Sequence, residues 1–181
     1  HLLLPSNKGG LLRPEWLDNQ GINGSCFRFY GNSHQSQFFY TKNIDKILSS
    51  SIGSISLWVN LLGIGNSRQC ILSVSNGFLP IKTEFLLEAN YDENCFKISI
   101  TKDGKELWSL SALECPLKGL IGNWTHLCIL QDGIKPELFI NGNKANVILR
   151  SEIGSLDWFS SLLDAKSPPD RLCIGATSRN Y

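Results

Sequence analysis

Three turn dipeptides, Asp103-Gly104, Asp132-Gly133 and Asn141-Gly142, constrain this chain more than any other feature, because each lies between segments rich in β-branched and aromatic residues. A two-residue hairpin turn needs positive φ, which Gly, Asn and Asp tolerate and most residues do not. The flanking segments are therefore antiparallel neighbours. Cys95 to Thr101 alternates, with Phe96, Ile98 and Ile100 on one face and Lys97, Ser99 and Thr101 on the other. Glu106 to Ala112 is its partner. Trp124 to Leu130, Glu137 to Ile140 and Lys144 to Leu149 form a meander through the other two turns, with Leu127, Ile129, Leu138 and Ile140 filling a core and Trp124 closing one end of it.

The same pattern recurs at Ser25 to Tyr30, Gln37 to Thr41, Ile52 to Leu62, Gln69 to Val74, Glu84 to Ala89 and Arg171 to Ile174. That makes about eleven short strands, and strands at this spacing pack as two antiparallel sheets. Helical periodicity occurs once, where Ser155 caps a short turn carrying Leu156, Phe159, Leu162 and Leu163, ended by Pro168-Pro169. The fold class is thus all-β, a two-sheet antiparallel sandwich with one short helix near 155–163. Residues 1–23 read as a lead-in strand or linker, and 24–181 as the domain. At 42% apolar and 18% charged residues the chain is too apolar for disorder. A net charge of +1 offers no basic stripe for nucleic acid, and no apolar run reaches the roughly 20 residues of a membrane span.

The order of segments carries a resemblance. Ser25-Cys26-Phe27-Arg28-Phe29-Tyr30-Gly31, Ile55-Ser56-Leu57-Trp58-Val59, Ile71-Leu72-Ser73, Gly122-Asn123-Trp124-Thr125-His126-Leu127, Leu138-Phe139-Ile140-Asn141-Gly142 and Leu172-Cys173-Ile174-Gly175 follow one another. This resembles the concanavalin A-like jelly-roll superfamily, in its laminin G-like and pentraxin-like branch, over roughly Gly24 to Ala176. The resemblance implies a jelly roll and a recognition function. It departs from the family in two places. Tyr30 stands where family members carry an acidic residue, which removes one oxygen ligand of a calcium site. The closing strand of the form F-x-G-x-I-D-E is also missing before the chain stops at Tyr181, so the domain lacks that strand or borrows it from another segment.

The chemistry-bearing residues favour binding over catalysis. Glu84 and Glu88 are the nearest match to the acid motif of related glucanases, but Leu86 replaces the middle acid and both read as solvated residues opposite Phe85 and Leu87. His126 and Cys128 share a strand face, the ordinary spacing of two structural residues. Asn90, Asp92, Glu93 and Asn94 could clasp calcium, yet a hairpin loop uses the same residue types for its own hydrogen bonds. No catalytic residue, metal ligand or cofactor is assigned. His1 has the residue type of a copper brace, but spacing supplies no second ligand. The better candidate is Trp58 with Asn60. Ile55, Leu57, Val59 and Leu61 share the other face of that strand, which leaves Trp58 among Ser54, Ser56 and Asn60 as a platform for a sugar ring or a partner's side chain.

Six cysteines without C-x-x-C spacing do not read as zinc ligands. Cys26, Cys70, Cys128 and Cys173 sit inside strands as small hydrophobes, whereas Cys95 and Cys115 flank one hairpin and could form a disulfide. The sequons at Asn23 and Asn123 occur about as often as chance predicts. Strand-borne thiols favour a cytoplasmic setting, and the laminin G-like resemblance implies an extracellular one. The leading expectation is a non-enzymatic module of a larger multidomain protein that docks protein partners, including other domains of its own polypeptide. That role resembles the lectin-like domain of large BEACH-type trafficking proteins. The alternative is an extracellular lectin domain that binds glycans, and the second alternative is an atypical glycosidase.

Overall fold

The computed structural model describes residues 14–30, 37–63, 67–76, 82–151 and 156–175. Thirteen strands occur among them: β1 (Glu15–Gly21), β2 (Gly24–Arg28), β3 (Phe39–Thr41), β4 (Gly53–Asn60), β5 (Arg68–Ser75), β6 (Glu84–Asn90), β7 (Cys95–Lys102), β8 (Lys105–Ala112), β9 (Trp124–Gln131), β10 (Pro136–Ile140), β11 (Asn143–Lys144), β12 (Val147–Ser151) and β13 (Arg171–Ile174). They build a four-stranded sheet in the order β11-β10-β9-β4, a seven-stranded sheet in the order β12-β8-β7-β6-β5-β13-β3, and a two-stranded ribbon, β1-β2. Every pairing is antiparallel. The fold is a two-sheet jelly-roll sandwich, as the alternation requires.

Two of the three turns form tight hairpins. Asp103 and Gly104 have φ of 49° and 83°, and Asn141 and Gly142 have 51° and 81°, the mirror-image turn that matches strand twist. The third differs. Asp132 accepts hydrogen bonds at Oδ1 from the backbone N–H of Ile134 (2.8 Å) and Lys135 (3.2 Å), so β9 and β10 are joined by a four-residue loop, 132–135. Those two donors, Ile134 first, hold the Asp132 carboxyl below the usual aspartate range.

The third strand of the meander also differs from expectation. Lys144 to Leu149 is not one strand but two: β11 ends the four-stranded sheet, and after Ala145 and Asn146 the chain enters the other sheet as β12. The lead-in contains a true strand, since Trp16 pairs with Phe27 across the ribbon and their rings meet edge-on at 4.8 Å. Phe27 in turn meets Phe39 of β3 at 4.6 Å, which seats the ribbon on the edge of the seven-stranded sheet. A one-turn helix, α1 (Asp45–Leu48), had no signal in the sequence beyond buried Leu48. The expected helix near 155–163 is a 3₁₀ turn at Phe159–Leu162, and its proposed cap Ser155, like His1, lies outside the described residues.

The core lies between the two sheets. Phe85, Leu87, Phe96, Ile98, Ile100, Trp108 and Leu110 from the wide sheet meet Leu127, Ile129 and Leu138 from the narrow one, all fully or almost fully buried. Trp124 is not among them and stands half-exposed on the outer face, because Thr125 takes the inward position. The segment 156–162 plugs one side. Trp158 and Phe159 pack on Phe85 at 5.4 and 4.9 Å between ring centroids. Trp108 Nε1 donates to the Asp157 carbonyl at 2.9 Å and Gln131 Nε2 to the Leu156 carbonyl at 2.6 Å, so each sheet holds the plug by one hydrogen bond from a buried side chain.

All six cysteines are free thiols, Cys95 and Cys115 included. The expected bridge fails on register: Lys97 lies opposite Ser111, so the position facing Cys95 is that of Leu113, and Cys115 comes two residues later as the chain turns into the 3₁₀ turn Leu117–Gly119. Protein unfolded without reductant should therefore titrate six thiols, and four would show a bridge. Phe85→Ala, which empties the contact between wide sheet and plug, should cost about 3–5 kcal/mol in urea unfolding; a loss below about 1 kcal/mol would mean that the plug does not depend on it.

Candidate functional site: the outer face of the narrow sheet

The pairing of β4 with β9 decides what the outer face carries. Ser56 stands opposite Cys128, Trp58 opposite His126 and Asn60 opposite Trp124. Beyond β9, Phe139 lies opposite Cys128, and Lys144 opposite Phe139. Inward positions go to Ile55, Leu57 and Val59 on β4 and to Leu127 and Ile129 on β9, so the period of two leaves these residues facing away from the core.

Trp58 is 47% exposed. Its ring centroid lies 4.9 Å from that of His126, with the planes tilted by 41°. The imidazole is held at one nitrogen, Nε2 lying 2.8 Å from Ser56 Oγ, while the His126 backbone N–H donates to Asn141 Oδ1 at 2.8 Å. The indole thus has a held neighbour and keeps about half of its surface exposed, which suits stacking against an apolar sugar face or a flat side chain. Lys144 Nζ and Glu137 Oε1 form an ion pair at 2.5 Å on the outer strands of the same sheet.

Asn60 shares the face but not the availability. It is half-buried, its Nδ2 donates to the Gly122 carbonyl at 3.4 Å, and its Oδ1 is buried with no hydrogen-bond partner among the described residues. Its amide is turned toward the loop before β9. His126 takes its place beside Trp58, a partnership that sequence reasoning missed because the two residues are far apart in the chain and meet only through the β4–β9 register. His126 and Cys128 stand on one face at neighbouring outward positions, and the imidazole is engaged by Ser56 rather than by the thiol.

The outer face of the wide sheet is of a different kind. Glu88 is almost fully buried and receives Arg68 at three short contacts, 3.0, 3.1 and 2.6 Å. Lys97 lies 3.0 Å from Glu93, and this ammonium is the main reason the Glu93 carboxyl sits below the usual range. Asn90 and Glu93 bond to each other, Asn90 Nδ2 to Oε1 at 3.2 Å and the Glu93 N–H to Asn90 Oδ1 at 3.0 Å, so the turn itself uses the oxygens that a calcium ion would need. Among the described residues no group of three His, Cys, Asp or Glu side chains could hold a metal.

Glu84 and Glu88 do stand opposite Phe85 and Leu87 in the pleat, but they are buried rather than solvated, 1% and 4% exposed. Each carboxyl is held by its own cation, Glu84 by Lys82 at 2.6 Å and Glu88 by Arg68 at 2.6 Å. Burial, then the neighbouring Glu88 charge, pushes the Glu84 carboxyl up to about 8 against an opposing pull from Arg68. Lys82 Nζ, 2.6 Å from Glu84 Oε1, pulls the other way, but the carboxyl itself is 1% exposed and its burial prevails.

No protein-family model matches the sequence, and no curated protein matches it. Solved structures do match in fold, and they agree with the jelly-roll sandwich described above. The CBM40 module of the Ruminococcus gnavus IT-sialidase superposes with a TM-score of 0.58 at 19% identity, over 74% of this chain and 68% of that one. The same module bound to α2,3 sialyllactose gives 0.57 at 20% identity, again over 74% and 68%. A leech intramolecular trans-sialidase gives 0.60 at 17% identity over 79% of this chain, which spans 21% of that enzyme. Identities this low establish the fold alone.

The pKa of Glu84 in the fold lies above that of the unfolded chain, so its contribution to stability is fully present below about pH 4.5 and is lost as pH rises through about 8. Glu84→Gln should accordingly raise Tm relative to the parent protein more at about pH 9 than at about pH 6. Equal changes at the two pH values would show that Glu84 ionises as an ordinary carboxylate.

Proposed function

We propose that this chain is a non-catalytic recognition module that binds a glycan by stacking a sugar ring on Trp58. The single observation that carries the reading is the geometry of that residue: a large aromatic side chain, 47% exposed on the outer face of the narrow sheet's outermost strand, its ring 4.9 Å from that of His126, which Ser56 engages. An indole held in this way loses little conformational freedom on binding, which favours affinity. A sandwich of similar fold, the CBM40 module, was solved bound to α2,3 sialyllactose, which supports glycan as the ligand class.

The expected docking of a protein partner is the second reading, favoured by a specific observation. At the opposite end of the same sheet Ile52, Leu130 and Ile134 are 58%, 38% and 77% exposed, an apolar group of the sort a protein interface covers. A glycan array separates the two. The glycan reading expects selective binding that falls tenfold or more in Trp58→Ala, equivalent to about 1.4 kcal/mol, and that persists in Ile134→Ser. A silent array, or binding indifferent to Trp58, would overturn it and leave the protein reading.

A further inference from the structure

The outer face of the narrow sheet carries a second indole. Trp58 stands on β4 and Trp124 on β9, and because Asn60 lies opposite Trp124 the two tryptophans are diagonal neighbours across one strand pair. Such neighbours lie roughly 7–8 Å apart. Thr125 takes the inward position, so Trp124 faces out with Trp58 and is partly exposed. Leu62, 61% exposed, follows β4 at the same end. The face therefore holds two aromatic platforms side by side.

Its charge is as informative as its shape. No Asp, Glu, Lys or Arg occurs on β4 or β9, or in the flanking stretches 61–63, 120–123 and 141–142 at this end of the sheet. Lys144 stands on β11, three strands from β4 and so about 14 Å away, and Glu137 already holds it. His126, which can take a proton, places Nε2 2.8 Å from Ser56 Oγ. Besides the indoles, the face presents the exposed hydroxyls of Ser54 and Ser56 and the exposed amides of Asn123 and Asn141.

We propose that this face takes an uncharged oligosaccharide of at least two linked rings, one stacked on Trp58 and the next on Trp124. The proposal rests on the glycan reading of Trp58 and narrows it. One sugar ring covers one indole, so a ligand that meets both has two rings or more. Hydroxyls and amides match the hydroxyls of a sugar as donors and acceptors. A carboxylate or sulfate would instead give up its hydration with no cation at hand to replace it. Acidic glycans are therefore poor ligands for this face, and a single sugar ring uses only half of it.

The test applies the whole chain to a printed array of neutral, sialylated and sulfated glycans of one to four rings, then titrates the bound series in solution. The bound members should be uncharged, and salt at about 0.5 M should leave their affinity unchanged. The two-ring member should bind about tenfold or more tighter than its one-ring member. Trp124→Ala, which leaves the inward Thr125 in place, should reduce that gain to about twofold or less, while Trp124→Phe, which keeps a ring, should retain most of it. A preference for sialylated or sulfated glycans, no gain from the second ring, or a gain undiminished in Trp124→Ala would overturn the proposal. The first two are read on the parent chain, so they decide the matter even where Trp124→Ala unfolds. In each of these cases, binding that is lost in Trp58→Ala would leave the glycan reading standing, whereas a silent array would overturn both.

Discussion

The side chains of Phe85, Trp108, Leu127 and Ile129 are shut away from water, and the 156–162 segment closes one side of that core, with Trp158 and Phe159 against Phe85. That plug is anchored from both layers, through Trp108 to the Asp157 carbonyl and through Gln131 to the Leu156 carbonyl. Both donors are buried, so either bond, if broken, would leave a polar group without water to replace it. The hydrogen bonds add little net free energy of their own, but they fix where the apolar rings of Trp158 and Phe159 go. The core is therefore specified by two polar contacts as much as by its hydrophobic area.

The same layering separates two kinds of outer surface. On the wide sheet, carboxylates and cations neutralise one another in place, as Arg68 does Glu88 and Lys97 does Glu93. On the narrow sheet the charged pair Lys144–Glu137 lies on β11 and β10, and Trp58, Ser56 and His126 stand at the other side on β4 and β9. A surface whose charges are already satisfied has little to offer a ligand. A half-exposed indole beside a held imidazole has more, which is why the binding role is assigned to that side.

Much of this was legible in the alternation. Phe96, Ile98 and Ile100 enter the core as their spacing requires, and Leu127, Ile129, Leu138 and Ile140 do likewise, because a period of two is a local property. The exposure of Trp58 was legible for the same reason. What stayed hidden depends on pairing between distant segments. His126 as the support of Trp58, the failed approach of Cys95 and Cys115, and the burial of Glu84 and Glu88 all follow from register across strands, which no local pattern encodes. The split of Lys144 to Leu149 was hidden for another reason: its residues alternate well enough for one strand, and only the need to reach the other sheet breaks it at Ala145 and Asn146. Asp132 shows the limit of the turn signal, since its side chain bonds its own backbone and opens a longer loop than Asp-Gly alone implies.

That two-residue crossing between β11 and β12 has a mechanical consequence. It ties β11 and β12 together by the shortest link between the layers, whereas β4 is tied to the wide sheet by longer ones, eleven residues back to β3 and seven on to β5. The outer strand that carries Trp58 is thus held to the other layer on a longer tether than the strands at the far side.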